Sequence, residues 1–289
     1  MSQIYQPRAD SPIGIIGATG LEIGLVKKRI ELIEKERVGN SRFFRGHFSG
    51  KELVLVESGI GFNNAKNACN HMIERFSPLA ILSFGLAGSV DTTTKIGDIL
   101  LATHLLWVKD METCKVEKSY ILDERLIDIT SNILNKYDLK FKIGKVLTVP
   151  YFVFKLEERY RIRRELEIEA VEMEGAAVAG EAIKHGIPLM ALRLISDDMS
   201  TREIDYGMAV GPRGRPTLRA GVRFFLIHRR DLLEVFRFGR QLRRLGTRLS
   251  GIGARIVEDM APVYTGEMDL HILKKKIPCT RSRLNRTEN

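Results

Sequence analysis

Acidic side chains gather at the ends of apolar runs in this sequence. Glu22 follows "PIGIIGATGL", Glu172 and Glu174 flank Met173 in "AVEMEG", and Asp197 and Asp198 close "PLMALRLISDD". A single acid at a helix start does no more than complement the helix dipole, by about 0.5 kcal/mol. Acids that converge can do more. A carboxylate can grip ligand hydroxyls, hand a proton to a leaving group, or stabilise a cation that develops during bond cleavage. Other chemistries lack their residues. Gly14, Gly17 and Gly20 are spaced GxxGxxG rather than as a dinucleotide fingerprint, and there is no GxxxxGK[ST] loop or GxSxG elbow. The six histidines show no HExxH spacing and the cysteines no CxxC. The expectation is therefore carboxylate chemistry with no cofactor and no metal.

The acids need strands to carry them. Apolar runs over 12–18, 51–58, 79–85, 97–106, 144–154 and 188–198 read as strands. Apolar residues recur at helical spacing over 21–33, 62–76 and 124–136, and a helix of very small residues follows Glu174. Strands alternating with helices predict a three-layer α/β/α sandwich around a central mixed sheet. In such sheets ligands lie beyond the C-terminal ends of strands. That is where "GATGLE", "ESGIG", "FGLAGS", "VEMEG" and "ISDD" stand.

The 289 residues carry a net charge of +10, placed unevenly. Residues 1–200 hold 27 basic and 27 acidic side chains; residues 201–289 hold 19 and 9. The division expected is a catalytic domain over 10–205, an arginine-rich amphipathic helical extension over 206–260 and a disordered tail over 261–289. Three well-separated cysteines, no apolar leader and no long uncharged apolar stretch lead to the expectation of a cytoplasmic protein.

Four segments, taken in order, resemble the nucleoside phosphorylase/nucleosidase superfamily. They are "IGIIGATGLEIGLV", "ESGIGFNNAKNA", "SFGLAGSVDTTTKIGDILLAT" and "AVEMEGAAVA…PLMALRLISDD". The pattern is most similar to methylthioadenosine/S-adenosylhomocysteine nucleosidases. The resemblance implies a nucleoside phosphorylase-like fold that cleaves the N-glycosidic bond of a purine nucleoside through an oxocarbenium-like ribose. It implies that Asp197 protonates the purine at N7, with burial and the neighbouring Asp198 keeping the proton in place near neutral pH. Glu22 corresponds to the glutamate that activates water. Glu174 would accept two ribose hydroxyls, Met173 would pack on the sugar, and Glu172 and Arg193 would orient this sugar site. Ala87, Gly88 and Ser196 would line the base pocket, with Phe152 as its aromatic cover.

Phosphorylases of the superfamily resemble "RVGSCG" where this chain has "SFGLAG", so Ser83 and Leu86 replace phosphate-binding residues. Water is the acceptor expected. A phosphorylase remains open, because Arg42, Arg45 or Lys51 would supply charge. The same segment is also similar to the hopanoid-associated branch, which acts on a lipid-linked adenosine, and a non-catalytic nucleoside-binding protein is the alternative of another class. The resemblance further implies a homo-oligomer. Residues 217–255 suit packing on the body or on a second subunit, or peripheral contact with an anionic membrane. No nucleic-acid module accompanies the arginines, so nucleic acid is not an expected partner.

Overall fold

A computed structural model describes residues 11–209, 211, 214, 217, 224, 227 and 232–264. Ten strands form one mixed sheet. They are β1 (Ile13–Gly17), β2 (Glu31–Val38), β3 (Ser41–Phe48), β4 (Lys51–Glu57), β5 (Ala80–Ser89), β6 (Ile99–Val108), β7 (Val116–Ile121), β8 (Phe141–Thr148), β9 (Ala170–Glu172) and β10 (Leu189–Asp197). The helices are α1 (Gly24–Arg29), α2 (Phe62–Phe76), α3 (Glu124–Lys136), α4 (Leu156–Glu165), α5 (Gly175–Lys184) and α6 (Leu232–Tyr264), with a short 3-10 turn at Tyr206–Ala209.

β1 lies between β4 and β5, parallel to both, and all its residues are buried, as its unbroken apolar run requires. β5 also pairs in parallel with β10, and its end pairs antiparallel with β9. β10 continues to β6, β6 to β8 and β8 to β9, so β5, β10, β6, β8 and β9 close a ring. The last residues of β5, β9 and β10 thus meet at one rim. That rim receives Gly88, Glu172 and Asp197.

Neighbouring side chains of a strand point to opposite faces, and β5 shows both layers. The Phe84 ring packs against Gly253 of α6, while Gly85 faces the Arg193 side chain, which reaches Gly175 at the start of α5. α2 packs on α5, and α1 and α3 pack on α6. The buried stripe Leu249, Ile252, Ile256, Val257 and Met260 joins α6 to the same apolar core as β1 and β5. Packing on the body is therefore the observed role of this amphipathic helix. It runs to Tyr264, past the boundary expected at 260, and residues 265–289 lie outside the described residues. No helix among the described residues is long and apolar enough to cross a membrane.

Two sequence expectations change, and one helix was not expected. The helix expected over 21–33 is only Gly24–Arg29, because Glu31–Val38 pairs antiparallel with β3 and extends the sheet edge. The strand expected over 144–154 ends at Thr148, leaving residues 149–154 as a loop. α4 falls in a segment whose charge hides its buried face: Ile162 is buried, while four arginines crowd its ten residues.

Candidate active site

The loops after β1, β4 and β9 and the ends of β5 and β10 build the site, and β5 works as its ruler. At Leu86 the backbone N–H donates to Glu22 Oε1 (3.2 Å). The Ala87 carbonyl lies 3.2 Å from the Ser196 hydroxyl. At Gly88 the backbone passes against Asp197, and a Cβ there would stand 2.7 Å from Asp197 Oδ2. Only glycine allows that approach. Two residues of strand, about 7 Å, separate the Leu86 and Gly88 positions.

Glu22 is buried and also accepts from the Thr19 N–H through Oε2 (2.7 Å). Burial raises its pKa, against the pull of these hydrogen bonds and of Arg193. Glu174 stands at the start of α5 and accepts from the Gly61 N–H (2.6 Å). Burial, together with the nearby charges of Glu172 and Glu22, pushes its pKa up to about 8. The Glu22 charge acts on Glu174, and Arg193 acts on both. These two acids therefore share one locality beside the Arg193 guanidinium.

Glu172 plays a different part from Glu174. Its carboxylate accepts from the Thr148 hydroxyl (2.5 Å), the Gly175 N–H (2.7 Å), the Glu174 N–H (3.2 Å) and Arg193 Nη2 (3.1 Å). Arg193, fully buried, also donates to the Ser83 carbonyl (3.1 Å). Gly175 completes this junction: a Cβ there would lie 2.9 Å from Arg193 Nη2. The spacing of "VEMEG" follows. The first glutamate ties the helix start to the arginine, the second reaches across to the Gly61 N–H, and the glycine makes room. Met173, half-buried, packs on the smaller apolar cluster that includes Val149, Val153 and Ile162.

Asp197 is buried, but the neighbour expected for it is not the one it faces. The Asp198 carboxylate is turned to the Ser200 hydroxyl (2.6 Å) and N–H (2.9 Å), which help to lower its pKa. Asp197 instead pairs through Oδ2 with Arg159 of α4 and through Oδ1 with the Ser196 hydroxyl (2.6 Å). Phe152 lies on the loop after β8, edge-on to the Tyr206 ring at 6.2 Å, and Tyr206 stacks on Phe238 of α6 at 3.9 Å. Gln241 of α6 donates to the Ser196 carbonyl (2.7 Å). Thr148, Arg159 and Gln241 were not singled out from sequence. None of the three carried a signal, and Thr148 stood inside the strand read over 144–154 rather than at its end.

Fold and site together define an α/β protein in which buried carboxylates gather at the rim of a closed strand ring. The Phosphorylase superfamily profile matches residues 12–209, and the chain belongs to that superfamily. A 5′-methylthioadenosine/S-adenosylhomocysteine nucleosidase from Staphylococcus epidermidis is 32% identical over 195 residues, 64% of this chain and 86% of that protein. The Helicobacter pylori nucleosidase of the same name, solved with a pyrrolo-pyrimidine pyrrolidine ligand, superposes with a TM-score of 0.69 at 25% identity, covering 87% of this chain and all of that one. Futalosine hydrolase of H. pylori superposes with a TM-score of 0.70 at 24% identity, covering 86% and 98%. The chain is an enzyme of the nucleosidase and nucleoside phosphorylase kind.

Proposed function

We propose that this enzyme hydrolyses the N-glycosidic bond of a purine nucleoside of the adenosine type, with water as the acceptor. The observation that carries the reading is the charge of the sugar side. Glu22 and Glu174 lie together there around Arg193, which is already engaged by Glu172. A phosphate dianion needs several cations or free backbone donors. Of the cations that would have supplied them, Arg42 pairs with Glu57 and Arg45 with Glu52. The Leu86 N–H is taken by Glu22. Ionised carboxylates here would repel a phosphate dianion, and the raised pKa of Glu22 suits removal of a proton from water.

In this mechanism the proton of Asp197 passes to purine N7, the C1′–N9 bond breaks and its electrons enter the purine. The oxocarbenium ion forms above carboxylates that stabilise it. Water, losing a proton to Glu22, bonds to C1′. Glu174 accepts from the ribose hydroxyls, Met173 packs on the sugar, and Phe152 covers the base beside Ala87 and Gly88. The test is a panel of methylthioadenosine, S-adenosylhomocysteine and adenosine, with and without phosphate, read as free base by chromatography. Base and free sugar are expected without phosphate. Strict phosphate dependence with ribose-1-phosphate as product overturns the reading.

A second, additional reading concerns the start of α6. Leu233 and Phe236 are 74% and 61% exposed, and Arg237, Arg240 and Arg244 line one shallow groove beside them. Apolar side chains among arginines fit peripheral attachment to an anionic membrane. Full-length protein is expected to sediment with phosphatidylserine vesicles, and Arg240→Glu/Arg244→Glu to release it. Equal sedimentation of both with neutral and anionic vesicles would remove this reading.

A further inference from the structure

Arg159 lies outside every motif that carries the family resemblance, on a helix with three other arginines. Those three are spent on surface pairs: Arg161 with Glu158, Arg163 with Asp91 and Arg164 with Glu165. Arg159 is turned inward and is 3% exposed. Its Nε and Nη2 donate to the Val153 carbonyl (3.2 and 2.9 Å), and its Nη1 to the carbonyls of Ser89 (3.2 Å) and Asp198 (3.1 Å). The remaining direction of Nη2 meets Asp197 Oδ2. The guanidinium therefore joins the loop after β8, the end of β5 and the residue after Asp197.

We propose that Arg159 is the positioning residue of the acid, fixing the Asp197 carboxyl at the end of β5 and stabilising the charge left on it after proton transfer. The inference rests on the reading of Asp197 as proton donor given above. A buried pair recovers its desolvation cost poorly, so stability alone is a weak reason for this arrangement. Catalysis supplies a better one. When the Asp197 O–H bond breaks and N7–H forms, the negative charge appears against a guanidinium already in place, with no reorganisation. Ser196 fits both states. Its hydroxyl donates to Oδ1 of the carboxylate, or accepts from the carboxyl while donating to the Ala87 carbonyl.

Among the described residues, the charged groups around Asp197 are few. Arg159 comes from α4, and Asp198 is held away by Ser200 and the Ile96 N–H. Gly88 and Ser89 of β5 carry no charge, and α6 contributes the neutral Gln241. The pH dependence should therefore answer to Arg159. A nearby cation favours the ionised carboxyl, so its removal moves the alkaline fall of activity to higher pH.

The experiment measures kcat, KM and the pH profile for the best substrate of the nucleoside panel. Arg159→Gln is expected to lower kcat about tenfold or more with KM nearly unchanged, and to displace the alkaline limb upward. Arg159→Lys keeps the charge, and its limb should stay at the wild-type position. An unmoved limb in folded Arg159→Gln overturns the inference. If that variant does not fold, Arg159→Lys is measured in the wild-type and Asp197→Asn backgrounds. The expected result is a loss of kcat only where Asp197 is present; equal loss in both makes the role merely structural and overturns the inference. A wild-type protein that releases no base from any nucleoside overturns the functional reading itself, and the inference with it.

Discussion

Asp197→Asn is expected to slow base release by about 10²–10⁴-fold, the range that a positioned general acid supplies. The amide keeps the shape of the carboxyl. Its oxygen still accepts from Arg159 or Ser196, and Gly88 still leaves it room. What it loses is a proton to give, so KM should change little while kcat collapses. The substitution also removes the countercharge of a buried arginine, and breaking a buried pair by deleting one partner costs about 3–5 kcal/mol in the worst case. The hydrogen bonds retained by the amide reduce that cost, so the protein should fold and melt a few degrees lower. The measurement is initial rate with a circular-dichroism melt on the same sample. Activity within tenfold of wild type, in a folded variant, removes Asp197 from the acid role.

Glu22 and Asp197 were legible in sequence because each stands at or just past the end of a strand that reads clearly. Glu172 and Glu174 were legible because they open the small-residue helix. β1 and β5 are buried along most of their length and spell nearly continuous apolar runs, while β4 and β10 keep apolar centres over 53–56 and 189–192. Four strands escaped notice, β2, β3, β7 and β9, and β2 and β7 lie at the edge. β2 is largely exposed, with Leu32 and Ile33 each 54% open, and its charges follow no strict alternation. The apolar residues Ile23, Val26, Ile30 and Ile33 fit a helical repeat as well as they fit what occurs. The sheet wins from Glu31 onward because β3 offers its backbone a partner. β7 escaped for the same reason, being paired to β6 alone with mostly exposed residues.

Within the site, the buried acids could be read and the groups that hold them could not. Arg159 sits in "LEERYRIRRE", where no spacing tells the buried arginine from the three solvated ones. Gln241 sits among the arginines of α6, whose apolar stripe was readable, but its reach to the Ser196 carbonyl belongs to tertiary structure. Neighbourhood in sequence also misled. Asp198 follows Asp197 directly, yet successive residues leaving a strand point apart, and the partner of Asp197 comes from a helix thirty-eight positions away.

Glu174→Gln is expected to stabilise the empty enzyme at alkaline pH while impairing its reaction. In the folded, ligand-free protein the Glu174 pKa stands near 8, against 4.5 for the free side chain. Between these values the native state holds a proton that the unfolded chain has released, so stability falls as pH rises from about 4.5 to 8. Glutamine carries no such penalty. The variant should melt with the wild type near pH 5 and above it near pH 9, by roughly 5 °C or more for a deficit on the order of a few kcal/mol. Its amide oxygen keeps the Gly61 hydrogen bond that orients the side chain. Activity should move the other way. A neutral amide offers one acceptor where two ribose hydroxyls need two, and it brings no negative charge to the ribosyl cation, so kcat/KM should fall by about 10²-fold or more. The two results together are what a site built for a cation requires, since it stores, when empty, the electrostatic strain that the reaction relieves. A variant no more stable than wild type at pH 9 would show that Glu174 is not strained there, and an active one would show that the sugar is held by other groups.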